Sequence, residues 1–242
     1  MKIAGSVALV TGANRGLGKA YVDALLSYGV AKVYAGARDP SKIANSHVIP
    51  VQLDVSSTSE ISAAARQCSD VTLLVNNAGA MLNTPILSPD AVDAMRKEME
   101  VNVFGMVSMI QSFAPILARN GGGAIVNMLS VVSWFTPPFN ATYAASKHAA
   151  LAVSDAARIE LRKQGTQVIG VYAGFIDTEM AAAASGPKTA PAQVAARTLE
   201  GVESGLSHVL ADERARQIYD AVRRDPEQLE RTQQEAWDQR KR

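Results

Sequence analysis

The stretch "SVALVTGANRGLGKAYVDALLSYG" (6–29) constrains this chain more than any other. A short apolar run closes on Gly12, passes through a turn holding Gly16 and Gly18, and opens into a helical pattern that ends at Gly29. A buried strand feeding a helix through glycines is the start of a strand–helix–strand unit, which requires a parallel neighbour strand. The rest of the chain repeats that grammar. Apolar runs at 31–38, 47–55, 71–79, 122–130 and 166–174 alternate with helical patterns at 57–68, 88–120 and 141–165. Asp39 and Pro40 open a short helical turn before the third strand. The strands are continuously apolar rather than alternating, so both sheet faces are covered. The expectation is an α/β doubly wound parallel sheet with helices on both faces. Pro115 lies inside the 88–120 pattern and predicts a kink there. Asn102, a mediocre helix former in "MEVNVFG", predicts a second local distortion.

At 242 residues, 48% hydrophobic and 19% charged, the chain has enough apolar material for one sizeable core. No linker interrupts 1–222, so one domain is expected there. The end, 223–242, is mostly charged or Gln and reads as a polar, fraying helix that Trp237 pins to a neighbour. Within 201–222 the pattern is helix, edge strand at "SHVLA", and helix. A net charge of +1 gives no field for nucleic acid or anionic lipid. No apolar run reaches the roughly 20 residues of a membrane span. A single cysteine, Cys68, excludes an intrachain disulfide and suits a reducing, cytoplasmic setting. The three histidines are scattered and no cluster has metal-ligand spacing, so no catalytic metal is expected.

Glycines between a strand and a helix let backbone approach a pyrophosphate, and the helix start offers N–H groups and a positive dipole end. Gly12, Asn14, Arg15, Gly16, Leu17 and Gly18 therefore form a candidate dinucleotide cradle. The second strand ends "AGARDP", with Ala37 where an acid would hold a ribose hydroxyl and Arg38 next. Arg38, with Arg15 approaching from the loop, suits a 2′-phosphate, which favours NADP(H) over NAD.

Further on, Tyr143 and Lys147 stand four residues apart on one helix face, and Ser130 lies thirteen residues before the tyrosine. Reduction of a carbonyl needs a proton donor and hydrogen-bond donors at the oxygen that gains charge. Tyr143 fits the acid, Ser130 the group that holds the oxygen, and Lys147 the cation that stabilises phenolate and lowers the tyrosine's pKa.

Together, "TGANRGLG", "LDV" (53–55), "NNAG" (76–79), "VNVFG" (101–105), "NMLS" (127–130) and "YAASK" (143–147) resemble the short-chain dehydrogenase/reductases over roughly residues 5–180. The 30–38 segment resembles that family's NADP-dependent carbonyl reductases. The resemblance implies a Rossmann-like sheet of about seven strands, hydride transfer between a nicotinamide and a carbonyl or alcohol, and a homodimer or homotetramer. It implies that Lys147 also bonds the nicotinamide ribose and that Asn102 keeps a water-linked proton path to it. Asp54 and Val55 would contact adenine, and Asn76, Ala78 and Gly79 would line the adenosine side. Gly174, Ile176 and Thr178 match the family's nicotinamide segment, but Ala173 replaces its proline and loosens one turn.

The substrate pocket is expected from Met81, Val132, Trp134, Phe135, Phe139, Phe175 and Met180, with the small-residue stretch 181–192 as a lid. Such walls suit an uncharged, mostly hydrophobic ketone or aldehyde. Trp134 and Phe135 have a packing role as their alternative. An NADP-dependent alcohol dehydrogenase, or a non-catalytic NADP-sensing protein on the same fold, are the competing functional readings.

Overall fold

The computed structural model describes residues 1–240. The last two positions of the expected polar tail lie outside the described residues. The strands are β1 (Val7–Thr11), β2 (Lys32–Ala37), β3 (Ile49–Gln52), β4 (Leu73–Asn76), β5 (Gly123–Met128), β6 (Thr166–Tyr172) and β7 (His208–Leu210). They form one seven-stranded sheet in the order β3-β2-β1-β4-β5-β6-β7, with each neighbouring pair parallel. The helices are α1 (Gly16–Ser27), α2 (Thr58–Gln67), α3 (Ala91–Met99), α4 (Met106–Arg119), α5 (Ala141–Glu160), α6 (Pro191–Glu203), α7 (Glu213–Arg224) and α8 (Pro226–Arg240). This is the Rossmann-like architecture that the alternation of runs predicts, with "SHVLA" at the sheet edge.

Two apolar layers sandwich the sheet. Ala8, Val10, Leu73 and Val75 face one layer with Tyr21, Leu25 and Leu199 from α1 and α6. Leu9, Leu74 and Ile125 face the other with Ile61, Phe113 and Leu117 from α2 and α4. Each such large side chain contributes roughly 2 kcal/mol by leaving water. Ser57 caps α2 by accepting from the Glu60 N–H at 3.3 Å. Strand order reverses between β1 and β4, so a crevice opens at their carboxyl ends.

The 88–120 pattern is irregular at one place, and it is not Pro115. A π-helical stretch, Glu100–Gly105, joins α3 to α4, whereas α4 runs through Pro115. Asn102 sits within that stretch, where its poor helix propensity predicts a distortion. Its side chain bonds outward to the backbone of Ala80 rather than to its own helix. Gly105 completes the turn, because a Cβ there would stand 2.8 Å from the Val55 carbonyl oxygen. The whole run, Ala91–Arg119, is long and apolar enough to cross a membrane, contrary to the sequence-based expectation. Met109, Phe113 and Leu117 on it are wholly buried against the sheet.

The described part of the 223–242 tail is helical from Pro226 on, as α8, and Leu229 packs against the core. The lid stretch ends earlier than its composition suggests, because Pro191 already opens α6. Asp212, 4% exposed, ties the last part of the sheet together. Its Oδ1 accepts from the Ala215 N–H at 2.7 Å, capping α7, and its Oδ2 accepts from the Gly174 N–H at 2.8 Å. Replacing it orphans two backbone donors. Asp212→Ala is expected to lower unfolding free energy by roughly 3 kcal/mol, and Asp212→Asn by much less. Urea denaturation of the two variants checks this; equal stability of Asp212→Ala and wild type contradicts it.

Candidate active site

The glycine turn after β1 sits tightly against the turn after β4. The Thr11 Oγ accepts from the N–H groups of Asn77 and Ala78, both at 2.9 Å. The Asn77 side chain donates back to the Thr11 carbonyl at 2.9 Å. A Cβ on Gly18 would stand 2.0 Å from the Gly12 carbonyl oxygen, and Gly12 itself has φ +65°. Leu17 is buried beneath the turn and Asn14 half-buried at its rim. Arg15 at the start of α1 makes no side-chain capping bond, so the first N–H groups of that helix remain for a ligand phosphate. The cradle therefore fits the pyrophosphate of a dinucleotide.

At the adenosine end, exposed Arg38 follows β2. Asp54 is held below the usual carboxylate range, first by the Ser56 hydroxyl and in part by the charge of Arg38. Val55 is buried, as is Asn76, whose Nδ2 donates to Asn127 Oδ1 at 2.9 Å. Gly79 lies against Asn102, its would-be Cβ 3.2 Å from Oδ1. Arg15 differs from expectation. Its guanidinium pairs with Glu179, just beyond Thr178, instead of joining Arg38 at the 2′-phosphate position.

On the other side of the crevice, Ser130, Tyr143 and Lys147 come together. Ser130 leaves the end of β5 and starts a 3-10 turn, Val131–Ser133. Its hydroxyl acts on the Tyr143 phenol in the direction that favours phenolate. Lys147 is 5% exposed; its Nζ lies 5.6 Å from the Tyr143 ring centre and donates to the Met128 carbonyl at 2.8 Å. Burial pulls the ammonium down to about 8. The expectation that Lys147 lowers the tyrosine's pKa does not hold here. Tyr143 is raised, first by desolvation, then by the charge of Glu98, with the Ser130 hydroxyl acting the other way. Desolvation works against the charged form of both Tyr143 and Lys147.

Asn102 donates to the Ser146 hydroxyl at 2.9 Å and holds both polar groups of the Ala80 backbone at 2.8 Å. A cavity of about 10 Å³ borders Asn102, Lys147, Asn76 and Thr11, room for about one water.

The nicotinamide-side segment is firmer than its missing proline suggests. Ala173 is buried, its carbonyl accepting from the Val131 N–H at 3.1 Å. Ile176 pairs with Thr189 as an isolated parallel bridge, so the lid is zipped at its base. Thr178 lies 3.2 Å from where a Cβ on Gly16 would be, beside the phosphate turn.

The expected pocket residues divide. Met81 accepts a 3.7 Å contact from the buried Asn140 side chain, next to half-buried Phe139. Phe175 and Met180 are exposed at the lid. Val132 is buried, and half-buried Phe135 packs against the core. Trp134 stacks on Tyr172 at 4.0 Å and tilts against Tyr219 at 5.1 Å. Both neighbours are structural, so Trp134 takes its packing alternative and props the pocket segment rather than walling it.

Three residues in this region escape a sequence reading. Asn77 ties the two turns, Asp212 ties the lid base, and wholly buried Glu98 accepts from the Leu82 N–H. The signal for Glu98 is its place four residues before Asn102, on the same helical face.

The sequence profile of the short chain dehydrogenase family matches residues 6–188, and the chain belongs to that family. It is 37% identical over 180 residues to the short-chain dehydrogenase ptmH of Penicillium ochrochloron, covering 70% of this chain and 65% of that protein. It is 35% identical over 181 residues to the NADPH-dependent 1-acyldihydroxyacetone phosphate reductase of Schizosaccharomyces pombe, covering 71% of this chain and 60% of that protein. The chain thus matches less than two thirds of the length of these relatives. A crystal structure of a short chain dehydrogenase from Burkholderia cenocepacia in complex with NADP is similar at a TM-score of 0.93 and 39% identity, covering 96% of this chain and 99% of that one. A Burkholderia phymatum relative in complex with NAD follows at 0.82 and 26%, covering 96% of each chain.

The buried lysine gives a stability test. An unfolded chain keeps the Lys147 proton to about pH 10.4, the folded one only to about pH 8. Between those values the unfolded state binds more protons, so wild-type stability rises with pH across that window. Below it, the buried charge costs roughly 3 kcal/mol, partly offset by about 1 from its bond to Met128. Lys147→Met is therefore expected to raise Tm at pH 7, by roughly 2 kcal/mol of stability, with the gain shrinking above pH 8. Calorimetry across pH checks the sign; a Tm loss at pH 7 contradicts it.

Proposed function

We propose that the chain is an NADPH-dependent oxidoreductase reducing the carbonyl of a mostly hydrophobic ketone or aldehyde, with Tyr143 giving the proton. The observation that carries this reading is the Tyr143 phenol, with the Ser130 hydroxyl acting on it and buried Lys147 flanking it, beside a glycine cradle shaped for a dinucleotide. Bound NADPH supplies the hydride. Ser130 holds and polarises the substrate oxygen, and Tyr143 protonates it as charge develops. Lys147, with one acceptor on its ammonium, has donors left for ribose hydroxyls. Burial keeps the Tyr143 phenol in its protonated form, the form that a proton donor in reduction requires. A sensor has no use for a proton donor so placed. NADP(H) rests on Arg38 and on the 39%-identical relative whose crystal holds NADP. Exposed Phe175 and Met180 suit an apolar substrate.

An NADPH-consumption assay over uncharged ketones and aldehydes tests the reading. Turnover is expected, and Tyr143→Phe is expected to lower it roughly 10²-fold or more with NADPH still bound. In the same assay Arg38→Ala is expected to raise KM for NADPH about tenfold while leaving NADH little changed. No turnover above the Tyr143→Phe level sinks the enzyme reading, and equal losses for both cofactors sink the 2′-phosphate assignment.

We infer a homodimer or homotetramer. Support comes from a groove of about 510 Å³ bordered by Ile86, Val92, Met95, Met99 and Phe104. Ile86, Val92 and Phe104 are more than half exposed, and a cluster of exposed apolar side chains is the kind of surface that marks a protein–protein contact. Light scattering at working concentration is expected to give at least twice the chain mass, and a monomer would refute it.

A further inference from the structure

The turn after β7 gathers bonds from every element around the lid. The Ala211 N–H donates to the Tyr172 carbonyl at 2.8 Å, which fixes the turn to the end of β6. The Ala211 carbonyl accepts from Arg197 Nη1 at 2.6 Å, which fixes it to α6. Buried Asp212 follows and takes three donors on one carboxylate. Its Oδ1 accepts from the Ala215 N–H, the ordinary work of a helix cap. Its Oδ2 accepts from the Gly174 N–H at 2.8 Å and from the Thr189 hydroxyl at 3.2 Å. Capping α7 accounts for the first oxygen and leaves the second to be explained.

The two donors on Oδ2 stand at the two ends of one loop. Gly174 opens the stretch 175–188 and Thr189 closes it. Next to them the backbone is zipped: the Thr189 N–H donates to the Phe175 carbonyl at 2.8 Å, and the Asp177 N–H donates to the Thr189 carbonyl at 2.9 Å. The stretch is therefore an Ω-shaped loop whose ends meet over one buried oxygen. Gly174 lies close on the start of α7, since a Cβ there would stand 3.0 Å from the Arg214 Cβ. Further out the loop is lightly held. Among the described residues its only ion pair to the body is the exposed one between Arg15 and Glu179. The arrangement needs a carboxylate, because an amide in its place would turn an N–H toward one of the three donors.

We propose that Asp212 is a positioning residue of the active site, the clasp that holds the two hinges of the 175–188 loop together and so sets how that loop closes on the substrate. With the clasp shut, the loop swings as one flap about a fixed base. With it open, the hinges part, and Phe175 and Met180 lose their common frame. Asp212 acts through the loop and not on the reacting atoms. The inference rests on the reading of this loop as a wall of the substrate pocket.

Thr189→Val isolates the clasp. It keeps the shape of the side chain, removes the hydroxyl donor, and leaves the α7 cap and the Gly174 bond in place, so Tm is expected to stay near wild type. Thr189→Ser keeps the donor and serves as the rescue. Hydrogen exchange read by mass spectrometry on the full chain is expected to run about tenfold faster over 175–189 in Thr189→Val. The rest of the chain, and Thr189→Ser throughout, are expected to match wild type. With a carbonyl selected by the panel above, Thr189→Val is expected to raise KM for that carbonyl about threefold and to leave kcat little changed. Unchanged exchange over 175–189 means that there is no clasp, and the proposal falls. Exchange that rises equally across the chain, or Thr189→Ser that behaves like Thr189→Val, overturns it as well. Faster exchange confined to the loop with an unchanged KM leaves only a structural tie and refutes the positioning role. A wild-type chain that turns over no carbonyl sinks the enzyme reading instead, a result separable from these because exchange is measured without substrate.

Discussion

The burial of Lys147 is the constraint to which the rest of this structure is fitted. An ammonium that is almost wholly removed from water, with one carbonyl to receive it, destabilises the chain that holds it. It survives only because the sheet on either side is overbuilt. Two continuous apolar layers and a parallel ladder of seven strands supply the surplus. The carbonyl that receives Lys147 is that of Met128, the last residue of β5. Ser130 follows two residues on, so one strand end places both the acceptor for the lysine and the serine hydroxyl that acts on the tyrosine. The helix that carries Tyr143 and Lys147 has Ala144 and Ala150 wholly buried among its small residues, which lets it lie close enough to reach both.

Much of this was legible in the sequence because it follows from local pattern. Continuous apolar runs and glycine turns predict the parallel sheet, and the four-residue spacing of Tyr143 and Lys147 predicts a shared face. Asn102 marks the distortion because its side chain is a poor fit to a helix interior. What was not legible depends on what stands opposite. Pro115 predicts a kink, but α4 runs through it, and the irregular turn lies at Glu100–Gly105, where Asn102 and Gly105 meet Ala80 and Val55. Trp134 looks like a pocket wall until Tyr172 and Tyr219 occupy its faces. Arg15 looks like a phosphate ligand until Glu179 is found beside it. Glu98 sits in "RKEMEV", among charges, and only the tertiary fold shows that its carboxyl is turned inward onto the Leu82 N–H of the 80–84 segment.

The two walls of the proposed pocket are built with unequal stiffness. The 80–84 wall is fixed by buried bonds from Asn102, Glu98 and Thr142, each of which strands a polar group if it opens. The 179–190 wall is fixed at its base, where Ile176 pairs with Thr189 and Asp212 holds both Gly174 and the Thr189 hydroxyl. Beyond the base it is held by the exposed pair of Arg15 and Glu179, and such pairs contribute about 0–1 kcal/mol. Gly186 adds a φ of +107° to that span, a conformation side chains resist. Motion that admits substrate therefore belongs to the second wall. That wall is joined to the phosphate turn through Arg15, so its looser half borders the glycine cradle, while its rigid counterpart is fastened to α3 and to the start of the helix that carries Tyr143. The proposed proton donor would have to keep its geometry through every turnover, whereas a lid must give way, and the hydrogen bonds are distributed accordingly.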